Sequence, residues 1–301
     1  MLESSRGPSQ RLGFARSHAP CTWCLAAASL GLLLTGCDTS STMRPGAKSV
    51  LEAFAPPSPE EAARMAIDEF DANRRLQGMQ LLAGASFAGE PLYMELFRKA
   101  TKDTDAGVRA VAVRAVGTHG QPEDVPAVIT LLKDDDDAVR IEAARALQRL
   151  HNDAAITPLI EAINPAKEGD ERVRRESALA LGQYKDTRVA ESLIAALDDE
   201  SVGVNFAVRD SLRIMTGQDL GMSRKDWATW YREAKQPFAG GSAYQFPVYT
   251  RDKRFWEYLP FVQPPPIETP ASPAGLSPVQ SMAANSTQPA KPAQPASGPT
   301  K

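Results

Sequence analysis

The sequence predicts an all-α fold, an α-solenoid of about four to five helix pairs. Three observations carry that prediction. The stretch from Asp105 to Val116 recurs, with Val108, Val139 and Val173 lying 31 and 34 residues apart and each followed by an arginine. A further 31 residues lead to Val204, and 34 residues back from Val108 lies Arg74-Arg75, with Asp71 before it and Leu81-Leu82 after it. Offsets of 0, 4, 7 and 8 from each valine fall on Ala112, Ala115, Val116, then Ala143, Ala146, Leu147, then Ser177, Ala180, Leu181. That spacing puts one apolar stripe on one helix face. A second half keeps the same register: Val125, Val128, Ile129 and Leu132 match Ile156, Leu159, Ile160 and Ile163, then Ala190, Leu193, Ile194 and Leu197. Self-similarity at a period of roughly 20–50 residues is the mark of stacked repeats, whose open faces are buried by their neighbours.

Ahead of the repeats, residues 1–36 read as an export signal. Arg6, Arg11 and Arg16 precede an apolar run from Cys21 to Leu34, too short to span a bilayer comfortably. Cys21-Thr-Trp-Cys24 has the spacing of a redox pair or half a zinc site, but it opens that apolar run and has no partner ligands. The run ends Leu34-Thr35-Gly36-Cys37, which resembles the lipobox of bacterial lipoproteins. The resemblance implies a diacylglyceryl thioether on Cys37, cleavage before it and acylation of the new N-terminus. Several acyl chains on one residue anchor stably where one chain binds reversibly. The expected location is therefore a bacterial cell membrane, on the extracytoplasmic (periplasmic) face, with inner against outer membrane left open. Residues 37–57, with Pro45, Gly46, Pro56 and Pro57, read as a disordered tether.

The repeat body is expected over residues 58–235. Ser58 can cap the helix opened by Pro59, and Glu61 is placed to complete a capping box. Ala62, Met65, Ala66 and Phe70 are its expected buried face. Gly117 and Gly182 suit helix C-termini, where a left-handed conformation is wanted. Asp170 to Gly182 carries almost intact the pattern Asp-x-x-Val-Arg-x-x-Ala-x-x-Ala-Leu-Gly, and this resembles the HEAT-like repeats of phycobilisome lyases and many other α-solenoid proteins. The recurring Asp105, Asp136 and Asp170 are expected to cap helices. Arg109, Arg140 and Arg174 either pair with acids of neighbouring repeats or form a row that grips an acidic partner. Asp134-Asp135-Asp136-Asp137 lacks the glycine and distal glutamate of a calcium loop and reads as a solvated turn.

After the body, aromatic residues concentrate. Eleven of the 20 aromatics fall between Trp227 and Phe261. Trp227 and Trp230 are expected to close the open end of the stack. The segment 236–263, with Phe255, Trp256 and Tyr258, either folds back on the last repeat or offers anchors to a partner. Residues 264–301, rich in Pro, Ser and Ala, are expected to be a disordered tail.

Composition narrows the chemistry. Net charge is −3, and without residues 1–36 the balance is 31 Lys+Arg against 36 Asp+Glu, so the chain lacks the basic field of a nucleic-acid binder. All three cysteines lie within the first 37 residues. No GxSxG, HExxH, phosphate-loop or dinucleotide pattern is present, and neither His119 nor His151 precedes a glutamate as di-iron HEAT hydroxylases require. The expectation is no catalytic residue, no metal, no cofactor and no enzyme activity. It is a membrane-anchored scaffold or adaptor for protein partners, the alternative being a lyase- or chaperone-like handler of a cofactor or small ligand.

Overall fold

A computed structural model describes residues 57–249 and 268–276. The signal segment, the tether up to Pro56, Phe255, Trp256 and Tyr258 lie outside the described residues. What is described is mainly helical. An opening helix α1 (Pro59–Ala66) is followed by five pairs: α2 (Ala72–Ala83) with α3 (Pro91–Ala100), α4 (Ala106–His119) with α5 (Val125–Thr130), α6 (Asp137–Arg149) with α7 (Ile156–Ala162), α8 (Glu171–Leu181) with α9 (Thr187–Ala196), and α10 (Val202–Thr216) with α11 (Arg224–Glu233). The first helices of the pairs pack in sequence, α2 on α4, α4 on α6, α6 on α8 and α8 on α10.

The recurring positions make this core. Val108, Val139, Val173 and Val204 are all fully buried. So are the small residues Ala115, Ala146, Ala180 and Ser211 seven positions on, and the larger Val116, Leu147, Leu181 and Leu212 after them. Four of the five first helices start on their own cap: the carboxylates of Asp71, Asp105, Asp136 and Asp170 accept backbone N–H groups of the first turn, whereas Ser201 at the start of α10 makes no such side-chain bond. The second-half apolar residues Val125, Val128, Ile156, Leu159, Ala190 and Leu193 are buried on the other side of the same core.

Two local expectations are overturned. Ser58 does accept from the Glu61 N–H at 3.2 Å, and Ala62, Met65 and Ala66 are buried, but Phe70 is 96% exposed. The helix stops at Ala66, and the Asp68 carboxylate then takes the N–H groups of Phe70 and Asp71. That turn carries Phe70 off the apolar stripe. The second correction concerns Gly117 and Gly182, neither of which is left-handed; that conformation belongs to Gly217 at the end of α10, with φ 75°. Gly117 lies inside α4, where a Cβ would stand 2.6 Å from the Cα of Ala146 on α6. At Gly182 it would stand 2.9 Å from Ser211 Oγ. These glycines set how closely consecutive helices approach.

Helix propensity and packing therefore predict opposite signs at Gly117. An alanine in a helix interior is worth about 1 kcal/mol over glycine, yet Gly117→Ala is expected to destabilise by about 1–3 kcal/mol through overpacking. Gly203, exposed in the first turn of α10 with only ordinary contacts around a built Cβ, should respond to alanine with unchanged or higher stability. Urea denaturation of both variants tests this. Equal responses at the two sites would refute the close-approach reading.

Candidate functional site

An acid stands six residues before each recurring arginine, and these acids organise the inter-repeat surface. The Arg109 guanidinium donates from Nε and Nη2 to the Asp134 carboxylate at 2.9 and 2.7 Å, and from Nη1 to the carbonyls of Asp103 and Thr104. Arg140 repeats the geometry with the Glu168 carboxylate and the carbonyls of Asp134 and Asp135. Arg174 does the same with the Asp199 carboxylate and the carbonyls of Glu168 and Gly169. Arg75 opens the series, donating to both Asp103 carboxylate oxygens and to the Asp68 carbonyl.

Asp103, Asp134, Glu168 and Asp199 are thus each held twice. One arginine takes the carboxylate from the preceding repeat. The residue six positions on takes the carbonyl. Each carboxylate also accepts the N–H two residues ahead, on Asp105, Asp136, Asp170 and Ser201. Bidentate pairing of this kind is directional as well as strong. At the end of the series Asn205 stands where arginine would, and its amide still donates to the Asp199 carbonyl at 3.0 Å. With no further repeat in the series, the arm that would cross to the next acid is gone.

This geometry settles where the arginines spend their donors. Arg109, Arg140 and Arg174 each use four of five N–H groups inside the stack, and their side chains are 17%, 18% and 8% exposed. They bridge repeats and are not presented as a gripping row. The Asp134–Asp137 run is likewise structural rather than a freely solvated turn: Asp134 holds Arg109, Asp136 caps α6 and Asp137 pairs with Arg172. Among the described residues no group of three or more His, Cys, Asp or Glu is placed to hold a metal ion.

A second row of charges runs beside the first. Arg114 donates to Glu142, Arg145 to Glu142 and Glu176, and Arg175 to Glu176. Among the described residues, the two histidines sit at or just past the ends of first helices. His119 ends α4, its Nε2 3.3 Å from the Ala83 carbonyl. His151 meets the Gln183 side-chain oxygen through Nδ1 at 3.0 Å and stacks on Tyr184.

The aromatic segment answers half of its question. Trp227 is fully buried, donates its indole N–H to the Gly221 carbonyl at 2.8 Å and meets Trp230 edge-on. Beyond α11 the chain turns back along the array. Ser242 N–H donates to the Ile214 carbonyl on α10, Tyr244 hydroxyl to the Leu179 carbonyl on α8, and Phe246 lies against Arg149 of α6. Tyr244 and Phe246, two apart, are buried, and Gln245 and Pro247 between and beyond them are exposed. The return therefore reaches well past the last repeat.

The tail departs from expectation here. Glu268–Ala271 (β2) pairs antiparallel with Phe246–Tyr249 (β1), Phe246 opposite Ala271 and Tyr249 opposite Glu268. Ala274 then donates its N–H to the Arg149 carbonyl and accepts from the His151 N–H, both at 2.8 Å. These bonds are made by backbone groups, and one of them satisfies a carbonyl left open at the end of α6. A composition-based expectation of disorder does not register such pairing.

The HEAT repeats family model matches residues 94–167 and again 131–213. No curated protein matches the chain. Two engineered proteins of known structure share 22% and 19% identity with it, covering 52% and 59% of this chain and 78% and 89% of theirs, each with a TM-score of 0.42. The complex of CpcE and CpcF of phycocyanin lyase from Nostoc sp. PCC7120 shares 19% identity, covering 57% of this chain and 80% of that chain, with a TM-score of 0.37. The valine stripe, the paired helices and the matched segments agree: residues 94–213 carry HEAT-like repeats, within an α-solenoid that among the described residues has five helix pairs behind one opening helix.

Proposed function

We propose that the protein is a lipid-anchored scaffold or adaptor that displays its repeat array to protein partners on the extracytoplasmic face of a bacterial membrane. The observation that carries this reading is the continuous ladder from Arg75 to Asn205. It makes five repeats one braced surface of the kind partners dock on. The lipobox at Leu34 to Cys37 supports confinement near the bilayer. Among the described residues no helix is long and apolar enough to cross a membrane, so attachment in this reading rests on Cys37. Replacing Cys37 with alanine is expected to move the protein from the membrane to the soluble fraction. A Cys37→Ala form that still sediments with membranes defeats the anchoring proposal. Crosslinking followed by affinity capture tests the scaffold half, and recovery of the array alone would count against it.

A further inference from the structure

Among the described residues, every arginine but two has a carboxylate within ion-pair distance; the exceptions are Arg149 and Arg232. Arg232 is exposed on α11 and needs no partner. Arg149 is different. It is partly buried at the end of α6, its Nη1 donates to Thr118 Oγ1 at 2.8 Å, and its guanidinium lies 5.8 Å from the centre of the Phe246 ring. Among the described residues no carboxylate takes its remaining donors. Arg114 and Arg145 stand near it against Glu142 and Glu176, three cations to two acids, and burial pushes the Arg149 pKa down. The Arg149 guanidinium is partly buried and its unbonded N–H groups are open to solvent, so an anion entering there gains a charge-assisted hydrogen bond beside an apolar wall.

Arg149 also lines a cavity of about 240 Å³. Its other walls include Thr118 and Leu150 on the array, with Phe246, Val248 and Ala274 on the returning segment. Its volume is that of about eight molecules of liquid water. The walls are mostly apolar, with one cation at the edge.

We propose that this cavity binds a small monocarboxylate with a short apolar body, Arg149 holding the carboxylate and the Phe246–Val248 strand covering the body. The site is made jointly by the repeats and the segment that folds back over them. The proposal is independent of membrane anchoring.

The test uses the full chain and 4-fluorobenzoate, followed by fluorine NMR, with 4-fluorobenzamide as its neutral counterpart. The benzoate is expected to bind, the amide at least tenfold more weakly, and Arg149→Gln to weaken the benzoate at least tenfold with an unchanged circular dichroism spectrum. Arg149→Lys, which keeps the charge but not the fork, should retain part of the affinity. Val248→Trp fills the cavity from the strand side and should abolish binding, which keeps the test valid if Arg149→Gln does not fold. The proposal is overturned if acid and amide bind alike, if Val248→Trp binds as the parent does, or if the acid is not bound at 10 mM, about the weakest affinity of interest. Binding of inorganic phosphate at this site, with no binding of the benzoate, would overturn the carboxylate assignment.

Discussion

Arg174→Ala is expected to cost about 3–5 kcal/mol, more than the loss of any other rung. The pair it breaks is the most enclosed of the series: the Asp199 side chain is 1% exposed and Arg174 8%, against 15% and 14% for Asp103 and Arg75. Removing the cation strands a buried carboxylate and also frees the carbonyls of Glu168 and Gly169. For an array of this size the melting temperature should fall by roughly 6–20 °C. Exchanging both partners, Arg174→Met with Asp199→Leu, should recover much of the loss, because no buried charge is then unpaired. A single variant within 1 kcal/mol of the parent would show that the rung does not brace the stack.

The same rungs set the acid limit of stability. At Asp199 burial pushes the pKa up, but the Arg174 fork and the Ser201 N–H outweigh it and hold the carboxyl below the usual range. Asp103 and Asp134 are shifted in the same direction by Arg75 and Arg109 against burial. A lowered folded-state pKa gives stability that is full above the unfolded value and is lost as pH falls through the folded one. Stability should therefore be flat near neutrality and fall below about pH 4. Asp199→Asn should start lower and fall less steeply.

Trp227→Ala is the second large effect, about 3–5 kcal/mol. The indole is fully enclosed at the end of the array, where α11 packs on α9, and its N–H is the donor to the Gly221 carbonyl. Trp227→Phe keeps most of the volume and loses the hydrogen bond, so about 1–3 kcal/mol is expected. In a stack held by nearest neighbours the damage should start locally. Hydrogen exchange should rise first in α10 (Val202–Thr216) and leave α4 protected; uniform loss of protection would contradict an end-closing role.

The fold was legible because its core residues recur. Val108, Val139, Val173 and Val204 sit at one position of one helix face, and four copies of a weak signal make a strong one. The caps were legible for another reason: Asp105, Asp136 and Asp170 act on their own first turns. The acid partners of the arginines were not identified, since the rungs join residues 25 or 28 apart and the acid changes from Asp to Glu. The signal was nevertheless present, as an acid six residues before each arginine. Phe70 misled because it continues the spacing of α1 past the point where Asp68 ends the helix. The pairing of β1 with β2 left no side-chain pattern to read, and neither did the isolation of Arg149.

The ladder also bears on how this array tolerates changes in length. Arginine-to-acid separations run 28, 25, 28, 25 along the chain, whereas from Asp103 onward the step from each acid to the next rung residue is six every time. All variation in repeat length falls between an arginine and the acid it crosses to, in the second helix and its loops. Insertions there leave the rungs in register, like treads fixed to one stringer while the other is cut to any length. A residue added between acid and arginine would instead shift one tread against the next. The six-residue step is thus the part of the repeat with the least freedom to drift.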